Sequence, residues 1–135
     1  MESNQAPSFD QAMARYESGA EITDLIKDFE SITIAMPDQS AGWTCLAWLQ
    51  LLSDNPNEAL RSARIAVKLN NKDPQSRINL SIALLETQSK GVRDHIDFVK
   101  RMILAVPELK KELQASITDG MNRKPNWKAL IKVRS

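Results

Sequence analysis

Side chains suited to acid–base, nucleophilic or metal chemistry are scarce in this chain. It has one histidine, His95, and one cysteine, Cys45. No group of His, Cys, Asp and Glu stands at metal-ligand spacing, and no glycine-rich run is arranged to cradle a phosphate. His95 falls where a helix stripe wants a small packing residue, so a half-buried structural histidine is expected. Cys45 reads as a small apolar filler. The expectation is a non-enzymatic protein with no cofactor and no metal.

The other conspicuous group is basic. From Gly120 to the end stand Arg123, Lys124, Lys128, Lys132 and Arg134, with no acid and with Trp127 among them. Such cations bind phosphates and a tryptophan stacks on bases. Arg123, Lys124, Lys128 and Lys132 are therefore a secondary candidate surface, for nucleic acid or for peripheral contact with an anionic membrane. Residues 1–38 hold eight acids and two bases, a balance of −6, and residues 39–135 hold nine acids and sixteen bases, a balance of +7. An overall charge of +1, a pI near 7.8 and an acidic first third argue against a nucleic-acid protein. Solvated helix faces are the simpler reading of these charges.

The elements that must position these residues are helical. Ala, Leu, Gln, Glu, Lys and Arg dominate, and β-branched residues form no alternating runs. Two tryptophans, Trp43 and Trp48, stand five positions apart, too far out of phase to share one helix face easily. A repeat separates them. Phe9, Trp43 and Arg77 are spaced by 34 residues, and the same offset superposes Ala12, Leu46 and Leu80, then Tyr16, Gln50 and Leu84. Leu25 aligns with Ala59, Phe29 with Ala63 and Ile32 with Ala66. After a two-residue insertion in QSKGVRD the third unit continues through His95, Val99, Met102 and Pro107.

At these residues the chain resembles the tetratricopeptide repeat (TPR) family, whose 34-residue unit is a helix–turn–helix with the pattern W-x2-L-G-x2-Y … A-x3-F … P. The resemblance covers about 100 of the 135 residues. It departs from the pattern at Gln50, Asn71, Arg77 and His95. The expected fold is all-α: a right-handed helical-repeat solenoid of three TPR-like helix pairs, with a C-terminal capping helix and a short basic amphipathic helix. Helices are predicted near 8–18, 21–35, 39–53, 57–70, 74–88 and 92–105, a seventh from Pro107 to about Asp119 where Gly120 ends it, and an eighth from Pro125. The repeats span about 6–39, 40–73 and 74–109, and the cap and basic extension 107–135, within one domain over 1–135. Asp73-Pro74 and Asn55-Pro56 read as helix starts, and Gly19 and Gly91 as stops.

In the repeat register Trp43 is the packing residue and Trp48 lies off the stripe. The resemblance implies that the off-pattern face of each first helix lines a concave groove. That face carries Asp10, Ala14, Glu17 and Ser18 in the first unit, Thr44, Trp48, Leu51 and Leu52 in the second, and Gln75, Ile78, Ile82, Leu85 and Glu86 in the third. The expected groove is thus acidic and small at its start, then aromatic and aliphatic. Apolar residues on a face expected to be wet call for cover. The cover is an outside protein or peptide segment with apolar anchors, the chain's own last helices, or a second copy forming a homodimer; the sequence leaves these open. The lysine and asparagine set with which heat-shock TPR co-chaperones grip a terminal carboxylate is missing, since Asp10, Ala14, Cys45, Gln75 and Asn79 stand at the matching positions.

The functional expectation is therefore a protein-interaction module: an adaptor, scaffold or complex-assembly factor. The runs DPQSRINLSIALLE and RKPNWKALIKV also resemble short TPR proteins of photosynthetic bacteria, which implies assembly of a photosynthetic complex. MESNQAPSFD lacks the basic start and apolar core of a secretory signal, and one cysteine fits a reducing compartment, so a cytoplasmic location is expected. The amphipathic pattern still running at Ser135 suggests a native chain a few residues longer.

Overall fold

The computed structural model describes residues 7–134; the readings of MESNQA and of Ser135 lie outside them. The described residues form eight α-helices and no strand: α1 Phe9–Glu17, α2 Ile22–Ala35, α3 Ser40–Leu52, α4 Pro56–Leu69, α5 Pro74–Glu86, α6 Val92–Ala105, α7 Glu108–Arg123 and α8 Lys128–Arg134. Consecutive helices pack as antiparallel pairs, and the pairs stack on one another in the manner of TPR-like repeats.

The helix starts follow local chemistry. Ser8 and Gln11 close a capping box on α1. Asp73 accepts from the Gln75 amide at 3.1 Å ahead of Pro74, as its N-cap position predicts. Asn55 also occupies the N-cap before Pro56, but its side chain gives no cap and donates to Ser53 Oγ at 2.9 Å. Gly91 enters α6 with φ at +105°, a left-handed conformation in which a side chain is strained.

Packing follows the repeat stripe. Leu25, Phe29, Ile32, Leu46 and Leu49 are buried together under the first pair, with Phe9 edge-on to Phe29 at a centroid distance of 5.8 Å. Ala59, Ala63 and Ala66 of α4 are fully buried, small residues that let α3 and α5 approach closely. α3 and α5 are buried on nearly all sides, as helices enclosed by neighbours must be.

Two departures from the pattern are compensated in place. Gln50 replaces the large aromatic and is buried, its Oε1 accepting from Ser62 Oγ at 2.8 Å. Arg77 lies over the Phe98 ring at 4.0 Å, donates to the Asn71 carbonyl, and places Nη1 3.1 Å from His95 Nδ1.

The last two helices differ most from expectation. Gly120 does not end α7, which runs on to Arg123. A Cβ on Gly120 would lie 2.8 Å from the Trp48 ring and 2.9 Å from Leu130. The glycine is used for close approach, not for a turn. α7 does not simply cap the third pair. It returns along the concave side, where Leu113, Ile117 and Met121 pack against the groove residues.

Candidate functional site

The face expected to form the groove is largely closed by the chain itself. Thr44, Trp48, Leu51, Ile78 and Ile82 are buried, and Leu52 and Leu85 are half-buried. Trp127 and Leu130, at the start of and within α8, insert among Trp48, Leu51, Ile78 and Ile82. The Trp127 indole donates to Glu86 Oε2 at 2.7 Å, so its polar edge is satisfied as its ring is buried. Of the three covers weighed from the sequence, the chain's own last helices bury these residues, and no second copy is needed for it. The roles of the two tryptophans shift accordingly. Trp48 is only 9% exposed, whereas Trp43 is half-buried at the edge of the first core, donating to the Pro37 carbonyl at 2.9 Å.

A polar clasp joins the two ends of the stack across the groove. Trp48 Nε1 donates to Tyr16 Oη at 2.9 Å, and Tyr16 donates in turn to the Asp119 carboxylate on α7. Arg123 Nε donates to both Asp119 oxygens at 3.0 and 3.2 Å, its Nη2 reaches the Tyr16 carbonyl at 3.0 Å, and its guanidinium covers the Tyr16 ring at 3.8 Å. Burial, then the bond to Asp119, pushes the Tyr16 phenol well above its ordinary range. Lys124 fastens the next turn, reaching the Leu51 carbonyl at 3.0 Å, Asp54 at 2.6 Å and the Trp127 ring face at 4.6 Å.

The candidate basic surface is thereby divided. Arg123 and Lys124 are internal fasteners, while Lys128 and Lys132 are exposed. Trp127 is 3% exposed and cannot stack on a base, which removes the aromatic half of the nucleic-acid reading.

What stays open is a chamber of about 820 Å³ between the first helices and α7. Met13, Phe29, Cys45, Trp48 and Leu49 supply apolar wall. Thr44, Gln75 and Asn79 supply polar floor, and Tyr16, Glu17, Glu112, Ser116, Asp119 and Arg123 its acidic side. The floor is fixed by its own bonds. Asn79, fully buried, donates to the Thr44 carbonyl and accepts from Gln75 Nε2, both at 2.9 Å, and Thr44 Oγ1 meets Ser76 Oγ at 2.7 Å. Cys45 Sγ rests 3.8 Å from Met13 Sδ, and burial pushes its thiol up to about 12, so it is held neutral as a wall residue. Glu17 and Glu112 are exposed at the chamber and take part in no ion pair among the described residues.

Of the expected groove face, Glu17, Thr44, Trp48 and Gln75 line the chamber. Tyr16, Glu112, Asp119 and Gly120 were not singled out for the site by sequence reasoning. A signal for α7 existed: Glu112, Ser116, Asp119 and Arg123 recur at helical spacing in one stripe, beside a second stripe of Leu113, Ile117 and Met121. His95 is half-buried beside Arg77, and burial, then the Arg77 charge, holds its pKa below 6.5. Among the described residues no group of three or more His, Cys, Asp or Glu is placed to hold a metal ion, and no helix is long and apolar enough to cross a membrane.

No protein-family model matches the chain, and no curated protein matches it. Among solved structures it is similar to SycD, the type III secretion translocator chaperone of Yersinia enterocolitica, crystallised as an alternative dimer. The TM-score is 0.66 at 18% identity, over 84% of this chain and 85% of that one. At that identity the likeness establishes the shared helical-repeat fold.

Proposed function

We propose that this protein is a non-enzymatic binding module that holds a segment of a partner protein in the chamber between α1, α3, α5 and α7. The observation that carries this reading is the chamber itself: a half-open cleft of about 820 Å³ on the concave side, apolar on one wall and polar on the other, as segment-binding sites are. The fold shared with a translocator chaperone supports it. Thr44 and Trp48 border the bound segment, while Leu51, Leu52, Ile78, Ile82 and Leu85 form the bed on which α8 lies. A narrower role in assembling photosynthetic complexes is supported by the sequence resemblance.

The test is to plug the chamber. Ala115 lines it from α7 and is exposed, so Ala115→Trp fills the space while leaving both cores intact. Affinity capture from the native cell with wild type, Ala115→Trp and an outer-surface control, Thr23→Trp, should recover the partner with the first and third only. Recovery of the same partner by all three would refute binding in the chamber.

A further inference from the structure

The chamber's lining is one-sided in charge. Its cation, Arg123, is held by Asp119 and the Tyr16 carbonyl. The Glu17 and Glu112 carboxylates are exposed and take part in no ion pair among the described residues. Counting Glu17, Glu112 and Asp119 against Arg123, the titratable lining carries a net charge of −2 at neutral pH. A cationic, donor-rich group complements such a lining, and an anionic one is repelled.

The other half of the same concave surface shows what it holds. There the occupant is the chain's own segment around α8, whose anchors are Trp127 and Leu130. Lys124 beside them pairs with Asp54 at the groove edge. A large apolar side chain enters the cleft, and a neighbouring cation meets a carboxylate on the rim. The open half repeats this plan, with Trp48 and Phe29 as wall and Glu17 and Glu112 as rim.

From these two observations we infer that the chamber selects a polypeptide segment carrying arginine or lysine next to a large apolar residue. The inference rests on the chamber being the binding site, and its test separates the two statements. A phage library of random dodecapeptides is panned on full-length wild type, on the double variant Glu17→Gln/Glu112→Gln, and on Ala115→Trp, with Ser116→Phe as a second plug. Wild type should enrich peptides that place Arg or Lys beside a large apolar residue. A fluorescein-labelled winner should bind the double variant about fivefold or more weakly, the effect of losing two solvent-screened charge pairs. Both plugged variants should enrich nothing. Enrichment by wild type without basic residues, or equal affinity for the double variant, overturns the charge selection and leaves the chamber as the site. Enrichment of the same peptides by both plugged variants, or none by wild type, overturns both statements.

Discussion

The indole of Trp127 lies against that of Trp48, with ring centroids 5.4 Å apart and planes inclined at 48°. This contact joins the last helix to the face that the repeat pattern leaves uncovered. Trp127→Ala should destabilise the protein by about 3–5 kcal/mol, the range for emptying a buried aromatic site. Urea denaturation followed by far-UV circular dichroism checks it. A loss below about 1 kcal/mol would mean that α8 is not held by this ring.

Gly120 sets how closely α7 can approach. A methyl group there would come within 2.8–2.9 Å of the buried Trp48 and Leu130 side chains, closer than packed carbon atoms approach. Gly120→Ala should therefore lower stability by about 1–3 kcal/mol through overpacking, although alanine is the better helix former. A raised melting temperature would show that α7 stands off from the groove.

The chain's one tyrosine allows the clasp to be read directly. The Tyr16 phenol is pushed above its ordinary value of 10.0 by burial first and then by its bond to Asp119. The unfolded chain ionises first, so stability should fall as pH rises past about 10. Phenolate absorbance on alkaline titration should appear later than for free tyrosine. In Asp119→Asn it should appear earlier than in wild type, because burial remains while the carboxylate is gone.

His95 gives the opposite edge of the pH range. Burial and the neighbouring Arg77 hold its folded pKa below 6.5. Above that value both folded and unfolded states are neutral and nothing is lost. As pH falls through it, the unfolded chain takes up the proton first and stability declines. Melting temperatures measured from neutral to mildly acidic pH should drop less in His95→Gln than in wild type. Equal slopes would assign the acid sensitivity elsewhere.

Much of the fold was legible because the stripe of Phe29, Leu46, Ala59, Ala63 and Leu80 records the packing of successive pairs with a fixed period. Gln50, Arg77 and His95 look like defects in that record, yet each has a local partner: Ser62 for Gln50, and Phe98 and His95 for Arg77. Such pairs break the periodic stripe and are set by three-dimensional proximity, so periodicity alone does not expose them.

The site was legible in part. The apolar face of Trp48, Leu51, Ile78 and Ile82 was marked as needing cover, but which segment covers it depends on the course of α7. That course turns on Gly120, which reads equally as a helix stop or as a close-packing residue until Trp48 is seen against it. The clasp joins Tyr16 to Asp119 across most of the chain's length, and no local pattern encodes a contact at that separation.

The three tryptophans are distributed so that they differ optically. Trp43 stays near the surface on the Pro37 carbonyl, Trp127 is sealed against Glu86, and Trp48 alone lines the chamber while bonded to Tyr16. With Trp43 replaced by phenylalanine, emission from the Trp48 and Trp127 pair becomes an intrinsic gauge of occupancy, so ligands can be titrated on the unlabelled protein.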